Sequence, residues 1–193
     1  VDHQWFKNRL DRENSINLAL DEGNEDDKTK PAYSDTKQGH GSHVAGIITQ
    51  ATPEEVQVMA IRVFSALGTA SYATITNAVD YAVEHKADII NMSLGFEIMS
   101  GFENDQITLM DEAFARAFKA NTTVCAASGN EYTDTSKSYP ASSPWTIAVG
   151  SFEPDAKGNL IRSDFANNGE LLDFVAPGRN TVSYTHLTLP TIA

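Results

Sequence analysis

Short apolar runs alternate with longer segments of helical periodicity along most of this chain, and few folds accommodate that pattern. The run VQVMAIRVF, from Val56 to Phe64, is apolar at adjacent positions, as in strands covered on both faces of a parallel sheet. SYATITNAVDYAVEH instead spaces Ile75, Ala78, Val79 and Ala82 as one buried helix face requires. Further strand-like runs are ADIINMSLG, NTTVCAAS and WTIAVGS. QITLMDEAFARAFKA carries a second helical stripe, which comprises Ile107, Met110, Phe114 and Ala117. The alternation predicts a doubly wound α/β fold, with a mostly parallel sheet and helices on both faces.

The size and charge of the chain argue against several classes of protein. A chain of 193 residues is long enough to bury the core of one ordinary domain. Its formal net charge of -12 argues against binding to nucleic acid or to an anionic membrane, since both require a basic patch. No apolar run approaches the ~20 residues of a membrane span. The single cysteine, Cys125, excludes an internal disulfide framework and is expected to pack in a strand.

The N-terminal part of the chain has a different texture, polar and irregular. Asp21 to Asp27 reads DEGNEDD, for which a solvated surface loop is the favoured interpretation and a calcium site the alternative. Val1 is not a natural translation start, so the chain is expected to be cut at this end, with no leader from which a compartment could be inferred.

The densest group of chemically versatile residues is GHGSHVAGII. It places His40 at the entrance of a predicted helix, where an imidazole is partly exposed and can transfer protons near neutral pH. His43 lies one turn further on. Two alternatives stay open for the pair: both histidines are structural, or both bind zinc, although H-x-x-H lacks the glutamate of the H-E-x-x-H motif.

Two predicted strands end in small and polar residues. Ser93 to Gly95 end one strand, and Gly129 and Asn130 end another. Ligands of doubly wound sheets bind at the carboxyl ends of the strands, so these residues are expected at a functional rim. Gly-Asn is also an ordinary turn sequence, whereas the functional interpretation is an amide donor directed at a developing oxyanion. Ser93 to Gly95 either end the strand or offer backbone groups to an extended peptide.

Six segments, in chain order, resemble the subtilisin-like serine proteases of the peptidase S8 family. They are HGSHVAG, LGTASY, INMSLG, AASGNE, YPASSPWTIAVGS and LDFVAPG. The resemblance extends from about Val1 to Asn180. It implies that residues 1–181 are part of a subtilisin-like catalytic domain, incomplete at both ends.

The resemblance implies a role for each matching residue. His40 is the general base of an Asp-His-Ser triad, and Asn130 donates its side-chain amide to the tetrahedral oxyanion. The extended substrate lies between two strands, which comprise Gly68, Thr69 and Ala70 on one side and Ser93, Leu94 and Gly95 on the other. His43 is structural by the same comparison, and no metal ligand is assigned. The expected partner is a polypeptide substrate, without nucleic acid or membrane.

The same resemblance bears on cofactors and location. It implies that no cofactor is required and is compatible with structural calcium. It also implies an extracellular or cell-envelope location, which the acidic, cysteine-poor composition allows without demanding. The oligomeric state is not indicated.

The aspartate and serine motifs of the triad are absent from this sequence. VDHQWF resembles the residues directly after the aspartate motif in this family, and Asp2 lacks both the preceding strand and the following glycine. Ser183 and His186 lie in a tail without the small residues that a nucleophile at a helix N-terminus requires. VSYTHLTLPT resembles a translated sequencing adapter, so residues 182–193 are interpreted as a non-native tail. The chain as given is therefore predicted to be inactive.

Two other functions remain as alternatives. A non-catalytic homologue of the same fold could keep the cleft for peptide binding, although such a module needs neither His40 nor Asn130. A zinc hydrolase using His40 and His43 would require a third ligand, and no carboxylate or histidine lies at ligand spacing.

Overall fold

A computed structural model describes residue 6 and residues 8–19, 39–65, 67–98 and 104–181. These residues form two compact units, which divide between His85 and Lys86. The acidic run at residues 21–27, Asp2 and the proposed non-native tail at 182–193 lie outside the described residues, so the interpretations given to them stay predictions.

The first unit contains two helices and a short parallel strand pair in its described part. The elements are β1 (Ile16–Asn17), α1 (His40–Ala51), β2 (Ile61–Arg62) and α2 (Tyr72–Glu84). Helix α2 begins where the Ser71 hydroxyl accepts a hydrogen bond from the Thr74 amide at 3.0 Å. Of the predicted stripe, Ile75, Val79 and Ala82 are buried and Ala78 is half-buried, so the helical periodicity is confirmed.

The strand expected from Val56 to Phe64 is much shorter than its apolar run. Only Ile61 and Arg62 pair in a ladder, with β1, and Val58 forms an isolated bridge to Leu10. Val56 is instead in a turn, because its amide donates to the Pro53 carbonyl at 3.2 Å. The strand predicted from this apolar run was therefore too long.

The second unit is built on a five-stranded sheet. Its elements are β3 (Ile89–Met92), β4 (Phe96–Glu97), α3 (Asn104–Lys119), β5 (Thr123–Ala127), β6 (Ser138–Tyr139), β7 (Ile147–Pro154), β8 (Leu160–Arg162) and β9 (Phe174–Pro177). The main sheet has the order β3-β5-β7-β8, with β9 also paired to β7. All of its pairs are parallel except the β7–β8 hairpin. The mostly parallel α/β fold predicted from the sequence is confirmed.

Helix α3 contacts β5. Ile107, the first residue of its predicted apolar stripe, is half-buried. Met110, Phe114 and Ala117 are buried. Cys125 is half-buried in β5, and this burial raises the pKa of its thiol, as expected for a packing cysteine. No helix among the described residues is long and apolar enough to cross a membrane.

Candidate active site

His40 is the first residue of α1. The chain enters the helix through Gly39, whose φ of 68° lies in the left-handed region, and no side chain caps the helix. The His40 side chain is half-buried, whereas His43 is buried one turn further on. Ala45 and Gly46 of the same helix are also buried. The predicted placement of His40 at a helix entrance is therefore observed.

Gly68, Thr69 and Ala70 also lie in the first unit, in a tight turn rather than in a strand. The turn is closed on Ser65, whose amide donates to the Thr69 carbonyl at 2.9 Å and whose carbonyl accepts from the Gly68 amide at 3.0 Å. The Ser65 and Thr69 hydroxyls are 2.9 Å apart. Gly68 has a φ of 76°, which an extended strand would not contain. Binding of substrate by these residues stays a prediction.

The other predicted site residues meet in one cleft of the second unit. Strands β3 and β5 are neighbours in parallel register, with Met92 opposite Ala126, so the residues after them emerge together. Their cleft has a volume of about 240 Å³. It is lined by Ser93, Leu94, Gly95, Phe96, Ala127, Gly129, Asn130, Glu131 and Ser138. The structure thus brings Asn130 together with Ser93–Gly95, as the strand ends predicted.

One wall of this cleft is fixed by close backbone packing. A side chain at Gly95 would place its Cβ 2.9 Å from the Tyr139 carbonyl oxygen, so only glycine fits without a shift. Directly after it, Phe96 pairs with Tyr139 in the short antiparallel β4–β6 ribbon. The segment that the sequence assigned to peptide binding is therefore held against a second strand pair.

The loop that carries Asn130 turns sharply at Gly129, whose φ is 104°. The Asn130 side chain is half-buried, and its backbone amide donates to Glu131 Oε2 at 2.9 Å. Glu131 Oε2 also accepts from Asn167 Nδ2 at 2.8 Å. The Glu131 carboxylate therefore folds back onto its own loop and bonds to the residue on its N-terminal side.

Asn167, which the sequence did not single out, is the buried centre of this loop. Its Nδ2 donates to the Ser128 carbonyl at 2.9 Å, and its Oδ1 accepts from the Glu131 and Thr133 amides at 3.0 Å each. The residue lies in FANNG, which reads as an ordinary Asn-Gly turn. Its contacts are with residues 34 to 39 positions away, so no local pattern in the sequence indicated them.

A metal centre has no support from the described residues. Among them, no three His, Cys, Asp or Glu side chains converge as metal ligands would, and this includes the surroundings of His40 and His43. The segment DEGNEDD, the alternative calcium site, falls outside the part of the chain that the structure covers.

The cleft lies within a range of the chain that matches a known protein family. Residues 1–192 match the model of Peptidase_S8, the Subtilase family. The chain belongs to the subtilase family. The matched range includes residues 182–192, for which the tail interpretation stays a prediction.

Two relatives in Bacillus subtilis (strain 168) show how much of a subtilase the chain covers. The Major intracellular serine protease is 34% identical over 187 residues, which are 90% of this chain and 52% of that protein. Subtilisin E is 33% identical over 150 residues, which are 72% of this chain and 36% of that protein. The chain thus spans about half the length of the first of these curated relatives and less of the second.

Two solved protease structures confirm the fold. The crystal structure of a cold adapted subtilisin-like serine proteinase is 26% identical, with a TM-score of 0.68, over 93% of this chain and 59% of that one. A lanthipeptide protease superposes with a TM-score of 0.71 over 93% of this chain and 52% of that one, at 22% identity. The second likeness concerns the fold alone.

Proposed function

We propose that this subtilase chain is part of a serine endopeptidase that hydrolyses peptide bonds through an acyl-enzyme. The observation that carries the proposal is the cleft in which Asn130 meets Ser93–Gly95 at the ends of two neighbouring parallel strands. A peptidase of this class needs an amide donor beside a backbone strip that can bind an extended substrate. The cleft is lined by Asn130 and by Ser93–Gly95, and this supports the proposal.

Each proposed residue has a distinct chemical task. The nucleophile's oxygen attacks the scissile carbonyl carbon, while His40 accepts the proton and then delivers it to the leaving amine as the C–N bond breaks. Asn130 donates its side-chain N–H to the oxyanion that forms in that step. Loss of such a donor lowered kcat by about 10²–10³-fold in a subtilisin, a value carried over from that relative. Water then hydrolyses the acyl-enzyme.

The chain as given is proposed to be inactive, because its sequence contains neither the aspartate motif nor the serine motif. Ser183 is a poor substitute, since bulky and β-branched residues flank it where the family's nucleophile has small ones. An extracellular or cell-envelope location, the absence of a required cofactor and the presence of structural calcium also stay predictions from the resemblance.

A serine-directed fluorophosphonate probe tests this proposal on two proteins. We expect no covalent labelling of the 193-residue chain, measured by intact mass. A second protein, extended from the source DNA through Asp-Thr-Gly or Asp-Ser-Gly before Val1 and Gly-Thr-Ser after Asn180, should label at that serine. The labelling should be lost in its His40→Ala variant, while His85→Ala, an exposed histidine of the same unit, serves as the matched control.

Two results would contradict the proposal in different ways. Labelling of the short chain at Ser183 that depends on His40 would show that the tail is functional. An intact gene without a serine motif would favour the second candidate, a non-catalytic peptide-binding homologue. The cleft lined by Ser93–Gly95 is the observation that keeps this candidate open, since binding an extended peptide needs no nucleophile.

A further inference from the structure

We propose that Asn167 is a positioning residue that holds the Asn130 loop in the conformation in which Asn130 faces the cleft. Its consequence for catalysis rests on the proposed function, whereas the positioning itself does not. Asn167 is fully buried and does not line the cleft, so it acts through the loop and not on a substrate.

The side chain of Asn167 uses its full hydrogen-bonding capacity on one loop. The two Nδ2 hydrogens go to the Ser128 carbonyl and to Glu131 Oε2, and Oδ1 accepts from the amides of Glu131 and Thr133. An asparagine amide has two donors and one oxygen with two lone pairs. All four are satisfied on a side chain that is itself fully buried, and a fully satisfied buried polar network rigidifies its surroundings.

These hydrogen bonds involve residues on both sides of Asn130 in the sequence. The Ser128 carbonyl precedes it, and the amides of Glu131 and Thr133 follow it. The Asn167 backbone adds a fifth bond, from its amide to the Gly129 carbonyl at 3.1 Å. Glu131 completes the link, because one carboxylate oxygen binds both Asn167 Nδ2 and the Asn130 amide.

Asparagine is the residue type that this position requires. A carboxylate of the same shape would keep the acceptor but replace Nδ2 with an oxygen, which would face the Ser128 carbonyl and the Glu131 carboxylate. Both contacts would become repulsive. Glu131 is exposed, so it can rotate into water and leave the Asn130 amide without its acceptor.

The test compares two isosteric substitutions in the 193-residue chain. Asn167→Asp removes the donor, and Asn168→Asp adds the same charge at the next residue, which is exposed and uses backbone groups in its hydrogen bonds among the described residues. Backbone amide exchange and the side-chain NH₂ resonances of Asn130 are measured by NMR. In Asn167→Asp, exchange of the Asn130 amide should rise about tenfold, as expected for one lost hydrogen bond, and its NH₂ resonances should shift.

The pattern of the change separates positioning from a general loss of stability. The Thr133 amide keeps its acceptor in Asn167→Asp, so its exchange should change less than that of the Asn130 amide. Asn168→Asp should leave both amides and the Asn130 resonances unchanged. Equal effects of the two substitutions, or faster exchange throughout the second unit while Asn130 shows no specific change, would refute the positioning role.

A second variant covers the case in which Asn167→Asp does not fold. Asn167→Ser is smaller and uncharged, and it cannot reach all four partners. It should accelerate exchange of both the Asn130 and the Thr133 amides relative to the rest of the unit. A folded Asn167→Ser with unchanged exchange at both positions overturns the proposal.

The catalytic consequence is measured in the extended enzyme. Asn167→Asp should lower kcat by about 10- to 100-fold with little change in KM, because a displaced donor weakens only the transition state. In an Asn130→Ala background the same substitution should have no further effect, since the residue it positions is gone. An undiminished loss in that background contradicts the link. If the unsubstituted extended enzyme has no peptidase activity, the proposed function fails while the exchange result still decides the positioning role.

Discussion

A glycine with positive φ comes directly before each of the two proposed catalytic residues, but the two glycines have different surroundings. Gly39, with φ 68°, precedes His40, and Gly129, with φ 104°, precedes Asn130. A Cβ on Gly39 would meet nothing within 4 Å. A Cβ on Gly129 would lie 2.3 Å from Asn167 Nδ2 and 2.5 Å from Glu131 Oε2. The first glycine serves only a local turn, whereas the second also makes room for a distant side chain.

The difference shows two ways in which a fold can place a proposed catalytic group. His40 is placed by local structure: a left-handed turn, followed by a helix of small residues that begins at His40 itself. Asn130 is placed by tertiary structure, because the conformation of its loop depends on Asn167 from another part of the chain. Substitutions should therefore be tolerated before His40 and not before Asn130.

The largest expected effect is that of Gly129→Ala. The new methyl group overlaps the Asn167 amide and the φ of 104° is strained for alanine, so the free energy of unfolding of the second unit should fall by about 3 kcal/mol or more. Gly158→Ala is the matched control in the same unit, since its φ is 83° and nothing lies within 4 Å. It should lose only about 1–2 kcal/mol.

Urea denaturation of the three proteins measures this difference. Equal losses for Gly129→Ala and Gly158→Ala would mean that the loop rearranges freely around a methyl group. Gly129, like Gly39, would then be required only for its backbone conformation, and Asn167 would have no fixed place beside it.

The same contrast explains how far the sequence could predict the structure. Three predicted features depend only on residues within their own segments, and the structure confirms them. They are the start of α1 at His40, the buried stripe of α2 and the strand β5 that precedes Asn130. The role of FANNG could not be predicted, because Asn167 acquires its partners only when β5 and the loop before β9 come together. The turn at Gly68–Ala70 is a different case, since Ser65 is near in the chain and a serine that closes a turn is a recognisable local signal.

An intermediate effect is expected for Tyr139→Phe, which tests whether any loss of stability in the second unit disturbs the Asn130 loop. Tyr139 is buried, and its hydroxyl donates to Asp111 Oδ1 at 2.8 Å. Removing a hydrogen bond to a charged acceptor should lower the free energy of unfolding by about 2 kcal/mol. Tyr132 is exposed, so the control Tyr132→Phe should change the free energy of unfolding by less than about 0.5 kcal/mol. Exchange of the Asn130 amide should rise no more than that of the unit as a whole.

The decrease of the free energy of unfolding at alkaline pH provides a second measurement for Tyr139→Phe. Burial, followed by the hydrogen bond to Asp111, raises the pKa of Tyr139 above its ordinary value of 10.0. Above pH 10 the unfolded chain therefore releases a proton that the folded chain keeps, and stability falls as the pH rises. The slope should be steeper by up to about 1.4 kcal/mol per pH unit in the unsubstituted protein than in Tyr139→Phe. Parallel curves for the two proteins would show that the Tyr139 hydroxyl ionises as if exposed.

The smallest effects are expected at Gly39, and they complete the comparison. Gly39→Ala should cost the first unit about 1–2 kcal/mol, as Gly158→Ala does in the second unit, since only the left-handed conformation is unfavourable there and the space is open. Gly39→Asn should cost less, because asparagine adopts this conformation more readily than any residue with an ordinary aliphatic side chain. Asparagine at position 129 has no such advantage, since its Cβ would clash with the Asn167 amide as the Cβ of alanine does. Urea denaturation of Gly39→Asn and Gly129→Asn, each beside its alanine variant, measures this. If the asparagine variant is more stable than the alanine variant at both positions, both glycines are required only for their backbone conformation. If it is more stable at Gly39 alone, the Asn130 loop is fixed by the side chains it packs against.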